Sequence, residues 1–407
     1  MIPTRSTHVA AYVAIMAVLI SLTSGCWNRR EIETLGFVMA IGLDESPSGR
    51  IQLTVQFAKP GALAGGTEAA GRSEKPFWVS TVEGDTVFEC FRHLGSVSTK
   101  RPYLQHNRFI IFGDELLKNK GLMPVIDFFN RDAEARLASQ VLAVKGATAR
   151  EYLQAEFEGA SLPSEGEQGM LLYLETALGT ISPLTFRELE DRMGSEGIEP
   201  IAVGVEVVPL KPDTSIKGEL TREEVKSTAR LGGTAVFKGD YLVGWLDEYE
   251  TRGLNWILGK VKSTLMVFPQ PGFEDRLATI EILRSTGNFK VEVRDDSIVA
   301  SIHVDTIGNL GEVQEPVDFV KQPETWGQFE KGLEAAIKQE IMQTVTKLQA
   351  LGADAIGFGQ DIFRRKPKDW ANIRGHWDDL FPTVKIHVQV KAKLRTPGMV
   401  LKSVKTR

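Results

Sequence analysis

The chain has 407 residues, 42% of them hydrophobic and 25% charged, with two cysteines and a formal net charge of −5. Two cysteines exclude a disulfide-dense scaffold and a four-thiolate zinc site, and a slightly acidic balance argues against a nucleic-acid binder. Aromatics at 8% and only 18 prolines argue against wholesale disorder.

At the N-terminus, Arg5 precedes an apolar run from Val9 to Ile20, and the small residues Thr23, Ser24 and Gly25 lead into Cys26. A basic start, a short apolar core and small residues before a break mark a secretory signal peptide. The run is shorter than the ~20 residues of a membrane span. Residues 1–25 are therefore expected to be a cleaved leader. Cys26, directly after Ser24-Gly25, resembles the lipobox cysteine of bacterial lipoproteins, whose thiol takes a diacylglyceryl group, although Thr23 stands where that box usually has Leu. The alternative is an ordinary cleaved signal with Cys26 incidental. Two acyl chains suffice for stable anchoring where one is marginal.

Residues 35–43 are nearly all apolar or glycine and suit a buried strand, and Ile51 to Phe57 alternates apolar and polar as a half-buried strand does. Pro47 and Gly49 between them predict an antiparallel hairpin. Residues 59–73, rich in glycine and alanine, predict a loop. A helix is expected from about Asp85, whose carboxylate could cap it. Cys90 lies on its apolar stripe with Val87, Phe88, Phe91 and Leu94, the place of a buried structural thiol. Strands follow at 109–112 and 139–145, and helices at 114–130, interrupted near Gly121, and at 148–154. Residues 161–169 predict a polar loop, with two weaker helices up to Met193.

After a boundary near 194–200, a strand is expected at 201–208 and a polar stretch at 211–219. A second hairpin turns at Gly239-Asp240, a short helix covers 250–259, and a strand 263–268. The last third predicts strands at 276–284, 290–294 and 298–305. A long helix over 324–348 repeats Phe329, Leu333, Ile337, Ile341 and Val345 at a spacing of four. In the final strand Val384, Ile386, Val388, Val390, Ala392 and Leu394 share one face. The opposite face carries Lys385, His387, Gln389, Lys391, Lys393 and Arg395, a row that faces solvent or meets acidic lipid or a partner. The expected fold is α+β in three mixed domains, 26–198, 199–272 and 273–407. Their sheets are mainly antiparallel with packed helices, the last an antiparallel sheet under one long helix.

Motifs for chemistry are missing from the sequence. There is no GxxxxGK[ST] loop, GxSxG elbow or HExxH. Gly357-Phe358-Gly359 lacks the third glycine of a dinucleotide fingerprint. His8, His93, His106, His303, His376 and His387 show no ligand-like spacing. Asp247, Glu248 and Glu250, and the pair Asp378-Asp379, fit a charged turn or helix start better than a hydrolytic carboxylate pair, whose separation must be set across a cleft. No catalytic residue, cofactor or metal is expected.

Several stretches resemble the Ger(x)C spore germination proteins. The start Gly25-Cys26-Trp27-Asn28-Arg29-Arg30-Glu31-Ile32 is similar to the family's opening. Gly113-Asp114-Glu115-Leu116-Leu117 and Pro124-Val125-Ile126-Asp127-Phe128-Phe129-Asn130-Arg131-Asp132 follow it. Then come Gly233-Thr234-Ala235-Val236-Phe237-Lys238, Leu242-Val243-Gly244-Trp245-Leu246, Glu250-Thr251-Arg252-Gly253-Leu254 and Gly259-Lys260-Val261-Lys262. Asp354-Ala355-Ile356-Gly357-Phe358-Gly359 precedes Trp370, Trp377 and Phe381 in the family's closing pattern. The resemblance implies a three-domain α+β lipoprotein, lipidated at Cys26, on the outer face of the spore inner membrane. It implies assembly with the A and B membrane subunits of a nutrient germinant receptor and no enzymatic activity. The rival is a solute-binding lipoprotein of an importer, which would need two doubly wound domains with parallel strands.

Overall fold

The computed structural model describes residues 31–59, 76–155, 163–209, 227–294 and 297–396, together with residue 9 and residues 12–17. Cys26, most of the expected leader, and nearly all of the 59–73 and 211–219 stretches lie outside the described residues.

The chain begins with β1 (Leu35–Glu45), β2 (Ile51–Ala58) and β3 (Phe77–Gly84), an antiparallel meander whose first turn is the hairpin expected at Pro47 and Gly49. Helix α1 (Val87–Val97) follows. Its cap is Thr86, whose hydroxyl accepts from the Glu89 amide, and not Asp85, one position too early. After β4 (Arg101–Tyr103) and β5 (Phe109–Phe112) come α2 (Asp114–Asn119) and α3 (Met123–Arg131), separated at Gly121 as the sequence predicts. Strand β6 (Gln140–Val144) and α4 (Ala149–Gln154) are next. The expected polar loop at 161–169 is instead largely helical: α5 (Pro163–Tyr173) docks through buried Glu167 and Leu171, a tertiary contact that its weak apolar pattern hides. Helix α6 (Phe186–Met193) leads to β7 (Ile201–Pro209), β8 (Ser227–Lys238) and β9 (Tyr241–Leu246).

These nine strands form one sheet in the order β3-β2-β1-β5-β6-β7-β8-β9, with β4 beside β1. Strands β7, β8 and β9 of the expected middle unit thus extend the first sheet, while its last strand, at 264–269, joins the second. Its centre, β1-β5-β6-β7, is parallel. Parallel strands need helical crossovers that cover both faces, which is why Phe109-Ile110-Ile111-Phe112 is buried throughout. Ile110 and Phe112 enter a core with Val87, Leu116, Val125 and Phe186. Phe109 and Ile111 enter the opposite core with Ala149, Tyr152 and Leu171.

Helix α7 (Glu248–Ile257) connects to the second sheet, built from β10 (Thr264–Pro269), β11 (Leu277–Arg294), β12 (Ser297–Val313) and β13 (Lys385–Leu394). The three short strands expected here are two long ones. Bulges near Ile280 and Leu283, and the polar stretch around Gly287, break the alternation without breaking the pairing. Helix α8 (Glu324–Leu351) crosses the sheet, with Phe329, Leu333, Ile337, Ile341, Val345 and Leu348 all buried against Ile280, Ile282, Ile302 and Val304. Each such side chain contributes about 1.5–3 kcal/mol. The expectation of an antiparallel sheet fails at β13, which runs parallel to β12. A chain that crosses a sheet as a helix returns to the same end, so its next strand runs parallel. Short helices α9 (Phe358–Arg365), α10 (Pro367–Ile373) and α11 (Trp377–Leu380) lie on that return path.

Candidate functional site

Part of the resemblance, at residues 250–254 and 354–359, falls on two joints between the sheets. The first is α7. Asp247 caps it by accepting from the Glu250 amide at 2.8 Å, and Glu250 returns the bond to the Asp247 amide at 2.9 Å. This reciprocal capping box occupies the carboxylates that the sequence placed at a helix start. Beyond the cap, Arg252 forks onto Glu340 of α8, with Nε at 3.0 Å from Oε2 and Nη2 on Oε1. Its Nη1 donates to Thr264 Oγ1 at 3.1 Å and to the Leu265 carbonyl at 3.2 Å. Trp256 Nε1 donates to the same Glu340 at 3.0 Å. Both charged side chains are nearly excluded from water, 7% and 12% exposed. The pair is therefore tied by several bonds at once, as a buried ion pair must be to offset desolvation.

Gly253 lets α7 and α8 touch: a Cβ there would lie 2.0 Å from Thr344 Oγ1. That hydroxyl donates to the Glu250 carbonyl at 2.7 Å. On its other side α7 reaches the first sheet, where Thr251 Oγ1 donates to Thr234 of β8 at 3.0 Å. Asn255 Nδ2 donates to the carbonyls of Gly179 and Ile181 at 2.9 and 2.7 Å. One helix of ten residues thus holds both sheets.

The second joint gathers the 192–200 segment and the turn at 353–359. Asp354 is 3% exposed, yet its Oδ1 accepts from the amides of Gly357 and Phe358 at 2.7 and 3.1 Å. Its Oδ2 accepts from the Gly359 amide at 2.8 Å and from Trp377 Nε1 at 3.3 Å. Burial outweighs these bonds and lifts its pKa to about 6. Gly357-Phe358-Gly359 is therefore a cradle for an internal carboxylate and not for a dinucleotide. Gly197 packs backbone to backbone on Gly359, and its carbonyl accepts from the Gln360 amide at 2.8 Å. Arg192 spans the joint, with Nε donating to the Glu199 carbonyl at 3.1 Å and Nη2 to the Ala355 carbonyl. Burial lowers its pKa to about 10 against the pull of Asp354, Glu188 and Glu199. Trp370 and Trp377 meet edge to face with centroids 5.5 Å apart.

A cleft of about 280 Å³ opens beside this joint, lined by Glu199, Gly239, Trp370, Arg374 and Asp378 among others. Its charged groups face one another: Arg374 lies 3.5 Å from Glu196, and Lys238 3.3 Å from Asp378. Glu199, whose pKa burial raises, accepts from the Gly239 amide.

The remaining sequence-singled residues do not converge. Cys90 is fully buried, with burial pushing its thiol pKa up to about 11. His93, His106, His303, His376 and His387 sit on separate elements, and His8 lies outside the described residues. Among the described residues no cluster of three or more metal-ligating side chains occurs, and no helix is long and apolar enough to cross a membrane. Sequence reasoning missed the Arg252–Glu340–Trp256 tie and the Arg192–Asp354–Gly197 joint. Arg252, Trp256 and Asp354 sit in or beside the motifs of the resemblance, whereas nothing in the sequence singled out Glu340, Arg192 or Gly197.

This is a two-sheet α+β chain in which Arg252 and Asp354, both within stretches of the resemblance, anchor the two joints between the sheets. It belongs to the Ger(x)C family of spore germination proteins. Residues 28–207 match the family described as spore germination protein N-terminal domain, and residues 232–398 the one described as spore germination B3/GerAC like, C-terminal. Spore germination protein KC of Bacillus subtilis (strain 168) is 24% identical over 95% of both chains. Spore germination protein B3 of the same organism is 26% identical over 96% of this chain and 99% of its own. The crystal structure of the GerBC protein superposes with a TM-score of 0.54 at 23% identity, covering 89% of this chain and 99% of that one, a likeness of fold.

Proposed function

We propose that this chain is a lipid-anchored, non-catalytic subunit of a spore nutrient germinant receptor. It is held on the outer face of the spore inner membrane by a diacylglyceryl group on Cys26 and assembles there with the receptor's A and B membrane subunits. The observation that carries the reading is the end-to-end match to spore germination proteins, covering both sheets and both joints. The carboxylates of Asp354 and Glu340, the most buried acids of the two joints, are occupied by protein donors. The rival importer component needs two doubly wound domains, whereas only the first sheet here has a parallel centre and the second is a meander plus one crossover strand.

Deleting the gene and following nutrient-triggered germination tests the reading. Loss of the response to at least one nutrient is expected, and unchanged germination in every nutrient, with paralogous receptor genes also removed, would refute it. For the anchor, Cys26→Ala is expected to abolish incorporation of labelled palmitate and to release the chain from salt-washed membranes. Continued labelling would place the lipid elsewhere.

A further inference from the structure

We infer that the uncovered face of the second sheet, centred on β13, is a docking surface for the anionic headgroups of a phospholipid membrane. The inference rests on the membrane-anchored reading above. Helix α8 covers only one face of this sheet. On the other, Lys385, His387, Lys391 and Lys393 project from β13, Arg395 follows directly after it, and all five are exposed. At ~3.3 Å per residue the row runs about 33 Å.

The neighbouring strands leave the surplus on β13: beside it Arg284 balances Asp305, and further out Lys290 and Arg294 flank Glu292. By register, Lys391 lies opposite Asp305 of β12, and Lys393 opposite Ile307. Asp305 and Ile307 in turn lie opposite Thr286 and Arg284 of β11. Arg284, Thr286, Asp305, Ile307, Lys391 and Lys393 line a shallow depression of about 290 Å³, three cations around one carboxylate. Among the described residues, none of Arg284, Lys385, Lys391, Lys393 and Arg395 forms an ion pair within 4.0 Å, unlike Arg50, Lys118 or Arg252. Their charge is therefore available to a ligand.

Sequence sharpens the asymmetry. Residues 385–407 hold seven Lys and Arg and no Asp or Glu, so the other residues carry 41 against 53, a balance of −12. The remainder of the chain is net acidic, so the positive surplus is concentrated in this C-terminal strand and the residues that follow it in sequence. The occupant follows from the charge: an open row of cations, densest at Lys391, Lys393 and Arg395 and with no deep apolar pocket, suits a diffuse charged plane. A specific protein partner is usually gripped by a buried aromatic or arginine anchor, and this face has none.

The test uses the chain from residue 27 onward, which keeps every strand and helix of both sheets and lacks the acylated thiol. Sedimentation with vesicles of phosphatidylcholine is compared with vesicles of equal parts phosphatidylcholine and phosphatidylglycerol. Binding to the anionic vesicles alone is expected, and it should vanish near ~0.5 M salt, where screening falls to about 4 Å. With each cation near the surface worth about fivefold in binding, Lys391→Gln/Lys393→Gln/Arg395→Gln should weaken it about 100-fold. These side chains point to solvent, so the variant should melt with the parent. Lys331→Gln/Lys338→Gln/Lys368→Gln, which removes three cations from other surfaces, should bind as the parent does. Equal binding to both vesicle types overturns the proposal, as does undiminished binding by the first variant. Failed germination of that variant with normal vesicle binding also overturns it, and assigns the face to a protein partner. Because Cys26 is absent throughout, failure here is independent of the palmitate result that tests the anchor.

Discussion

The tie between Arg252 and Glu340 makes a quantitative claim. Glu340→Ala leaves a guanidinium that is 7% exposed with no counter-charge and strips the Trp256 N–H of its acceptor. Uncompensated buried charges of this kind cost about 3–5 kcal/mol. Arg252→Met, leaving the Glu340 carboxylate with Trp256 alone, should cost a similar amount. The double variant Arg252→Met/Glu340→Leu removes both charges. Thr264 Oγ1 keeps its bond to the Leu178 carbonyl at 2.7 Å, so the main residual defect is the unpaired Trp256 N–H, about 1–3 kcal/mol. The double variant is therefore expected to be more stable than either single, with a coupling of at least about 3 kcal/mol. Urea unfolding followed by tryptophan fluorescence reads all four states of the cycle. Additivity within about 0.5 kcal/mol, or a Glu340→Ala cost below about 1 kcal/mol as for exposed pairs, would refute the buried tie.

Other consequences follow from the same geometry. Gly197 sits at φ 73°, and a Cβ there would lie 2.4 Å from the Gly359 carbonyl carbon, so Gly197→Ala should cost at least ~3 kcal/mol. Gly194→Ala, whose Cβ meets only the Glu190 carbonyl at 3.4 Å, should cost under ~1 kcal/mol, and equal melting temperatures for the two would dismiss the close approach. Burial lifts the Glu167 pKa from 4.5 to about 8, so the folded state holds a proton that the unfolded state releases; stability is full below about pH 4.5 and falls as pH rises towards 8. At 1.36 kcal/mol per unit the loss approaches about 5 kcal/mol, and Glu167→Gln should flatten it; identical urea midpoints for parent and variant at both pH 5 and pH 8 would contradict this. Cys90, fully buried with its thiol raised to about 11, should ignore aromatic disulfide reagents until the chain unfolds; rapid native labelling would show the thiol accessible.

How much could be read beforehand depended on how local each signal was. The apolar alternation of Ile51 to Phe57 and the four-residue rhythm of α8 are local, and the structure has both elements within a few residues, but the expected wet face of the strand is buried as well: Thr54 and Gln56 are covered, and Gln56 donates to the Leu153 carbonyl at 3.3 Å. Asp247 and Glu250 at a helix start were legible for the same reason, since a capping box closes within three residues. The parallel centre of the first sheet was not. Phe109 to Phe112 has no polar alternation, because both of its faces are covered by helices distant in sequence. Helix α5 was read as loop because buried Glu167 counts as polar in any periodicity. The direction of β13 depends on α8 crossing the sheet, which no residue of β13 encodes. The joints were least legible: Arg192 and Ala355 are 163 residues apart, and Arg252 and Glu340 are 88 apart.

The position of the shared motifs bears on how a receptor subunit of this kind works. Had the family resemblance been carried by a reactive site, its polar atoms would converge with unused donors or acceptors facing solvent. Instead Asp354 accepts from four donors of its own chain and Glu340 from three. What these residues maintain is the relative placement of the two sheets. Helix α7 binds β8 through Thr251 and β10 and α8 through Arg252, less than one turn apart, so it leaves no slack for a hinge between them. Rotating one sheet against the other would strain the buried ion pair at the first joint and, at the second, strip the buried Arg192 of the Ala355 carbonyl and the Gln360 amide of the Gly197 carbonyl. Each loss costs several kcal/mol, so the sheets move as one body. A displacement of the first sheet is then carried over to the second through α7 and the 353–359 turn.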